Sequence, residues 1–438
     1  MRYTMFSQLF GKYLVDKDVI SPDDYQAAIE KQLNVRVKLG TIAVAEGLLT
    51  ELQVEALNKL QMQYDKRFGD LAVEKGLLTD EQVQMLLKKQ GNPYMQFLQV
   101  LLESGKINIS QMDAQITAFQ KEKGFSDADM TALKNDDFDA LIPIFAFSSK
   151  PFVTELAGLV LRNLNRFVTR NFYVGQIRHV DQMEYRYLAG QRTTGDYDIY
   201  LAFAEEADNG GFMTLASAFS GEQYDQVNAD VYDAVCEFVN CNSGLFASDV
   251  STKGIDMDMA PTFVYVDQKV KGKVYALPIY IEDRKLQLVI AVDSEVEMGQ
   301  KPYELETEIV ESSQNTDGAK GTILVVDDSK MSRKMLRAIL EEEGYAVIAE
   351  ASNGEEGVEA YKKYHPTVVT MDITMPKLDG IGALKEIMAY DSNAKVVMIT
   401  AAGQQQKIIE ALKLGAEKFI TKPFEQSEVL ATVHSLMK

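Results

Sequence analysis

Only two cysteines occur in the chain, Cys236 and Cys241, with four residues between them and no histidine or second cysteine pair nearby to complete a zinc set. Both read as buried or neutral thiols. No run approaches 18 apolar residues, and the opening MRYTMFSQLFGKYL lacks the apolar core and cleavage site of a signal peptide. Neither a membrane span nor export is expected, and the expected location is the cytoplasm. Excess positive charge is missing too: 45 basic residues against 65 acidic ones give a formal net charge of −20, which repels DNA phosphates and anionic lipid. No helix-turn-helix or other DNA-reading pattern is evident, so direct transcription control is not expected.

What is present suits folded protein. The chain is 25% charged and 46% hydrophobic over 438 residues, more than one core can serve, and about three domains are expected. The divisions expected are 1–125, 137–300, a linker at 301–320 and 321–438.

The first stretch is periodic. Gly11, Gly40 and Gly69 recur every 29 residues, as do Asp18, Gly47, Gly76 and Gly105. Ser21, Thr50, Thr79 and Asn108 keep the phase, each followed three positions on by Asp24, Gln53, Gln82 or Gln111, which is an N-cap pattern. Apolar residues at helical spacing follow, such as Val54, Leu57 and Leu60. Each unit therefore reads as a short helix, a tight turn and a longer capped helix, whose apolar faces only stacking can bury. The segments Lys38-Leu39-Gly40 through Gln61 and Arg67-Phe68-Gly69 through Gln90 resemble the MshEN helical repeat found ahead of secretion ATPases. That resemblance implies cyclic di-GMP binding, with Lys38 and Arg67 as the contacting cations. This sequence departs from the pattern by opening one copy with lysine, beginning the first unit at Leu9-Phe10-Gly11 and reading Gln96-Phe97-Leu98 in the fourth. The other reading is a helical protein-interaction or dimerisation module.

From about Asp137 the period changes. A helical stretch at Phe152 to Thr169 precedes alternating segments at Tyr197 to Ala204, Thr262 to Val266, Val274 to Ile281 and Gln287 to Val292, an α+β pattern. Between them Ala229 to Asn240 reads as a helix followed by Gly244. Asp233, Glu237 and Asn240 share one face, expected to point outward, and Val231, Val235 and Phe238 another. An acidic residue, Glu four later, Asn three after that and a proline some twenty on, here Pro261, resembles the signature of the CheX/CheC/FliY class of response-regulator phosphatases. With one such helix the chain is most similar to CheX, whose members pair as homodimers. The resemblance implies that Glu237 docks on the conserved lysine of a phosphorylated receiver while Asn240 orients water against the aspartyl phosphate.

After the polar stretch 301–320, strands expected at Ile323 to Val326, Ala346 to Glu350, Thr367 to Met371, Lys395 to Thr400 and Lys418 to Ile420 alternate with amphipathic segments. That pattern is α/β and doubly wound, with a site beyond the carboxyl ends of the strands. Asp327-Asp328, Asp372, Thr400 and Lys422-Pro423 fall there. Three converging carboxylates need a hard divalent ion, for which Mg²⁺ is the natural choice. The segment resembles the phosphorylation receiver domains of response regulators. That resemblance makes Asp372 the phosphoacceptor for a histidine kinase or phosphotransfer protein. It gives the metal to Asp327, Asp328, Asp372 and the Thr374 carbonyl, the phosphate to Lys422, and the output switch to Thr400 with Phe419. Thr374 and Ala402 are small, which leaves the phosphate open to an incoming asparagine. The function expected is a two-component protein whose middle domain hydrolyses aspartyl phosphate in cis or in trans; the competing expectation is a non-catalytic adaptor controlled by phosphorylation.

Overall fold

The computed structural model describes residues 4–32, 35, 37–64, 66–169, 171–303, 310–311, 318–401, 405–422 and 424–437. Two compact units divide the chain, Met1–Ile144 with Arg170–Tyr173, and Phe145–Thr169 with Val174–Lys438.

In the first unit the helices come in pairs: α1 (Met5–Asp16) and α2 (Pro22–Gln32), α3 (Leu39–Ala45) and α4 (Glu51–Tyr64), α5 (Phe68–Glu74) and α6 (Asp80–Lys89), α7 (Pro93–Glu103) and α8 (Ile109–Lys123), then α9 (Asp127–Asn135) and α10 (Phe138–Ala146). The period has two physical causes. Asp18, Gly47, Gly76 and Gly105 all take left-handed φ, 55° to 70°, to turn each short helix into the longer one. Each longer helix then starts on a reciprocal cap, Ser21 with Asp24, Thr50 with Gln53, Thr79 with Gln82 and Asn108 with Gln111. Such caps are worth about 1 kcal/mol apiece. An aromatic cluster fills the core, with Phe6 to Phe10 ring centroids 5.1 Å apart and Phe10 to Phe119 5.4 Å apart.

The helical glycines mark close approach instead. A Cβ on Gly40 would lie 2.6 Å from Val54 Cγ1 on the longer helix of the same unit, whereas one on Gly91 would meet nothing within 4 Å. Gly40→Ala should therefore destabilise the first unit by about 1–3 kcal/mol, the cost of overpacking, while Gly91→Ala should not. Thermal unfolding of the two full-length variants checks this.

The second unit begins with α11 (Val153–Asn163) and a π-helical turn, Leu164–Val168. Then come β1 (Phe172–Val174), which spans the division, β2 (Arg178–Gly195), β3 (Ile199–Glu205), α12 (Gly211–Ser220), α13 (Ala229–Ser251), β4 (Met257–Met259), β5 (Phe263–Ile281) and β6 (Arg284–Val292). The sheet order is β1-β5-β6-β3-β2-β4, and β5 also pairs with β2, so four antiparallel strands close a circuit. Two expectations are corrected. The segments Thr262 to Val266 and Val274 to Ile281 belong to one 19-residue strand, because β2 runs alongside for most of its length. Gly244 lies inside α13, which extends to Ser251. Val231, Val235 and Phe238 are fully buried, with Phe238 5.8 Å from the Phe203 ring on β3.

The remaining elements are β7 (Val310–Glu311), β8 (Thr322–Val326), α14 (Lys330–Glu342), β9 (Ala346–Ala351), α15 (Gly354–Tyr364), β10 (Val368–Asp372), α16 (Gly380–Tyr390), β11 (Val396–Ala401), α17 (Gln405–Leu414), β12 (Lys418–Lys422) and α18 (Gln426–Leu436). Strand order is β12-β11-β10-β8-β9-β7, all parallel except β7. The strands read as near-continuous apolar runs because helices cover both faces; separate cores on the two sides carry Val326, Met371 and Met398 on one and Val325, Val397 and Ile420 on the other. Within the stretch expected to be a linker, Val310 and Glu311 pair with Glu350 and Ala349. Most of that stretch, with Asp317, and also Ala402 and Pro423, lie outside the described residues.

Candidate active site

β8 stops at Val326 and delivers Asp327 and Asp328 to the carboxyl edge of the sheet. Ser329 caps α14 through its hydroxyl, which accepts from the Ser332 amide, and its own amide donates to Asp327 Oδ1 at 2.9 Å. Arg333, buried one turn into α14, donates from Nη1 to the Asp327 and Asp328 carbonyls at 2.6 and 3.2 Å and lies 3.3 Å from Glu350. The acidic loop is thus held from beneath by a cation that does not compete for its carboxylates.

Asp372 ends β10 and Lys422 ends β12. Lys422 Nζ donates to Asp372 Oδ2 at 3.0 Å and stands 2.9 Å from Asp327 Oδ2, which receives no aligned hydrogen bond. Carboxylate oxygens of Asp327, Asp328 and Asp372 lie within 4.8 Å of one another. Burial pushes the Asp327 carboxyl up to about 8 against the pull of Lys422. Asp328 is driven well above the carboxylate range by burial and by its two acidic neighbours, and burial raises Asp372 too. For Lys422, burial acts to discharge it, but the surrounding carboxylates prevail and hold it firmly protonated. One ammonium cannot neutralise this cluster. Three converging carboxylates, an excess of hard anionic ligands over that single cation, fit a divalent cation such as Mg²⁺. Thr400 is buried on β11, Phe419 is half exposed on β12, and Thr374 lines the cleft beside the acidic group.

The polar row of α13 enters the same place. Asp233, Glu237 and Asn240 do face away from their own apolar core, but they are buried, at 6, 7 and 9% exposure, because the C-terminal sheet domain covers them. That corrects the expectation of a solvated face. Asp233 accepts from the Ser329 hydroxyl at 3.2 Å and from the Lys330 and Met331 amides at 2.9 and 2.5 Å, so it supplies a second cap to α14. Burial raises its pKa to about 6, which still leaves it ionised at neutral pH. Glu237 Oε1 lies 3.6 Å from Lys422 Nζ. Asn240 accepts through Oδ1 from Gln191 Nε2 at 2.9 Å. Asp230 to Lys330, Glu222 to Lys334 and Asp258 to Lys407 frame the contact, acidic on one side and basic on the other. A cleft of about 690 Å³ between the two surfaces is lined by Asp233, Glu237, Asn240 and Pro261 on one side and Asp328 and Thr374 on the other.

Residues 323–434 match the profile of the response regulator receiver domain. They are 50% identical over 116 residues to chemotaxis protein CheY of Thermotoga maritima, 26% of this chain and 97% of that one. The chain belongs to the response regulator receiver family. The receiver is also 48% identical over 115 residues to CheY of Bacillus subtilis, 26% of this chain and 96% of that one. Residues 188–277 match the profile of chemotaxis phosphatase CheX. Among solved structures, the chain is similar to one in the CheX-CheY-BeF3-Mg+2 complex from Borrelia burgdorferi, 43% identical over 28% of this chain and 92% of that one, with a TM-score of 0.27.

The receiver and the CheX domain together make this a two-component signalling protein with a chemotaxis-phosphatase component. Around the receiver site, the sequence reading passed over Arg333 and Gln191. A basic residue five positions after the acidic pair was the available signal for Arg333, and a glutamine just after the apolar Leu188-Ala189-Gly190 that for Gln191. Lys38 and Arg67 belong to the first unit, where both are exposed and precede α3 and α5; Lys38 pairs with Glu103 at 2.8 Å. Both cysteines are free thiols, and burial pushes both well above the usual thiol range, as a neutral-thiol reading requires. Among the described residues no helix is long and apolar enough to cross a membrane.

Proposed function

We propose that the middle domain hydrolyses the aspartyl phosphate formed on Asp372 of its own chain. The observation that carries this reading is the placement of Glu237 against Lys422, the lysine that already holds Asp372. In this reading residues 137–300 are the phosphatase, 301–320 the tether and 321–438 the receiver, with the 1–125 repeats in front. A histidine kinase or phosphotransfer protein supplies the phosphoryl group to the Asp372 carboxylate.

For dephosphorylation, Glu237 orients Lys422 and fixes the register of α13 on the receiver. The Asn240 amide, which does not titrate, holds a water in line with the phosphorus. The water oxygen bonds to phosphorus as the bond to Asp372 Oδ breaks; the carboxylate leaves with its electron pair, and the water protons pass to inorganic phosphate and solvent. Mg²⁺, held by Asp327, Asp328, Asp372 and the Thr374 carbonyl, supplies charge neutralisation for the phosphoryl oxygens. Thr400 and Phe419 act as the output switch. A tether in cis holds the substrate at high effective concentration, so no strong affinity between the domains is needed.

The test is the decay of phosphate on Asp372 in the full chain beside its Asn240→Ala variant. Equal decay removes the reading. Pairing of two copies through the CheX domain, and cyclic di-GMP as an input through Lys38 and Arg67, are further parts of the proposal that rest on resemblance. For the second, calorimetric titration with cyclic di-GMP should give saturable binding that is lost in a Lys38→Ala, Arg67→Ala double variant; no heat in the parent protein refutes it.

A further inference from the structure

Resting on that phosphatase reading, we infer that Gln191 is a positioning residue that fixes which end of the Asn240 amide meets the substrate. The chain of reasoning starts from a group whose role is not negotiable. The Ala260 carbonyl can only accept, and Gln191 donates to it from Nε2 at 2.8 Å. That fixes the orientation of the glutamine amide. The same Nε2 lies 2.9 Å from Asn240, so the atom facing it must be an acceptor, Oδ1. Nδ2 is thereby left as the free donor end of Asn240, the end suited to an anionic phosphoryl oxygen, while the second lone pair of Oδ1 remains to accept from water.

That carbonyl stands at the end of a strand pair. The Ala260 amide donates to the Arg192 carbonyl at 2.9 Å, which continues the β4 ladder along β2 by one residue beyond Met259. Where the ladder ends, the Ala260 carbonyl accepts from the Gln191 side chain, and Pro261 follows with no amide to donate. Asn240 and Ala260, the residue before the signature proline, become two ends of one hydrogen-bonded relay with Gln191 between them.

Gln191 also carries a cost that a merely structural residue has no reason to carry. It is 1% exposed, and its Oε1 has no hydrogen-bond partner within the protein. A leucine would fill that space without the penalty.

The experiment measures phosphate decay on Asp372 in the full chain after loading with acetyl phosphate and Mg²⁺, for the parent, Asn240→Ala, Gln191→Leu and Gln191→Glu proteins over about pH 5–8, a range that brackets a buried carboxyl. Each rate is taken relative to Asn240→Ala. Gln191→Leu should lose about tenfold, the worth of one hydrogen bond. Gln191→Glu should be slow at the alkaline end, where the introduced carboxylate faces two acceptors and turns the Asn240 amide over. It should recover toward the acid end, where the protonated carboxyl donates to Asn240 Oδ1. The charged groups lining the same cleft are Asp233 and Glu237 on α13 and Asp328, Lys330, Arg333 and Lys377 on the receiver; Asp233, raised to about 6, titrates in this range in every variant alike, so the recovery is read as the ratio of Gln191→Glu to the parent at each pH. Amide exchange at Lys330 and Met331 should keep its protection in both Gln191 variants.

If Gln191→Leu decays like the parent while Asn240→Ala is slow, the relay is wrong and the phosphatase stands. If Gln191→Leu is slow but Gln191→Glu shows no recovery in acid, or if exchange protection is lost, the glutamine is only structural and the inference fails. If Asn240→Ala decays like the parent, the phosphatase reading itself falls, and the relay with it.

Discussion

Asn240→Ala in the full chain should lengthen the lifetime of phosphate on Asp372 by about a hundredfold, the usual cost of losing the group that aligns a nucleophile. The effect is expected to be large because so little else in the cleft can do the task. Glu237 is committed to Lys422, at 3.6 Å, and Asp233 to the start of α14. Asn240 alone in the row offers an amide, which can donate to the phosphoryl group and accept from water without being charged by its acidic surroundings. A titrating side chain there would face Glu237 and the acidic cluster, in a place where burial first, and the neighbouring carboxylates after it, already push Asp327 up to about 8 and raise Asp372. The measurement is loss of labelled phosphate from the loaded protein in Mg²⁺, with Asp372→Asn as the zero. The variant should still load, because the phosphoacceptor, Lys422 and the carboxylates are intact. An unchanged lifetime would mean that α13 covers the receiver without turning it over.

Much of this was legible in the sequence because it is written locally. A turn that needs φ near 60° and a cap three residues before its partner recur every 29 residues, so the helical pairs of the first unit follow from spacing alone. The parallel sheet follows from apolar runs that end in acidic or basic residues. What sequence could not supply is pairing at a distance. That Glu237 docks on a receiver lysine came only through the resemblance; Asp233 meets Ser329 across two domains, and nothing within α13 distinguishes a face covered by a partner from one covered by water. The 18-residue β2 escaped for a related reason: its first half, Arg178 to Glu184, is largely exposed on both faces and holds its form only by pairing with β5, so it carries no alternation to read. Gln191 escaped because its meaning lies in Asn240 and Ala260, 49 and 69 residues away.

Asp233→Arg should release α13 from the receiver. The exposed ion pairs around the contact, Asp230 to Lys330, Glu222 to Lys334 and Asp258 to Lys407, are worth about 0–1 kcal/mol each and cannot hold it shut. Asp233 differs from them in being buried and in accepting three donors, two of them the free amides at the positive end of α14. Arginine there strands those donors and sets a second cation beside Lys330. Breaking a buried charged contact costs about 3–5 kcal/mol, which is on the order of 10²–10⁴ in the docking equilibrium. Amide exchange at Lys330 and Met331 should accelerate by about that factor. Two consequences in opposite directions should accompany it. Hydrolysis of the aspartyl phosphate should fall to the Asn240→Ala level, since the amide no longer reaches its substrate. Loading of Asp372 by acetyl phosphate should become faster if docking gates access to that carboxylate, which is 3% exposed with the helix docked. A variant that exchanges freely yet hydrolyses normally would show that the docked arrangement is not the one that works, whereas slow hydrolysis with unchanged loading would show that docking does not gate access to the phosphoacceptor.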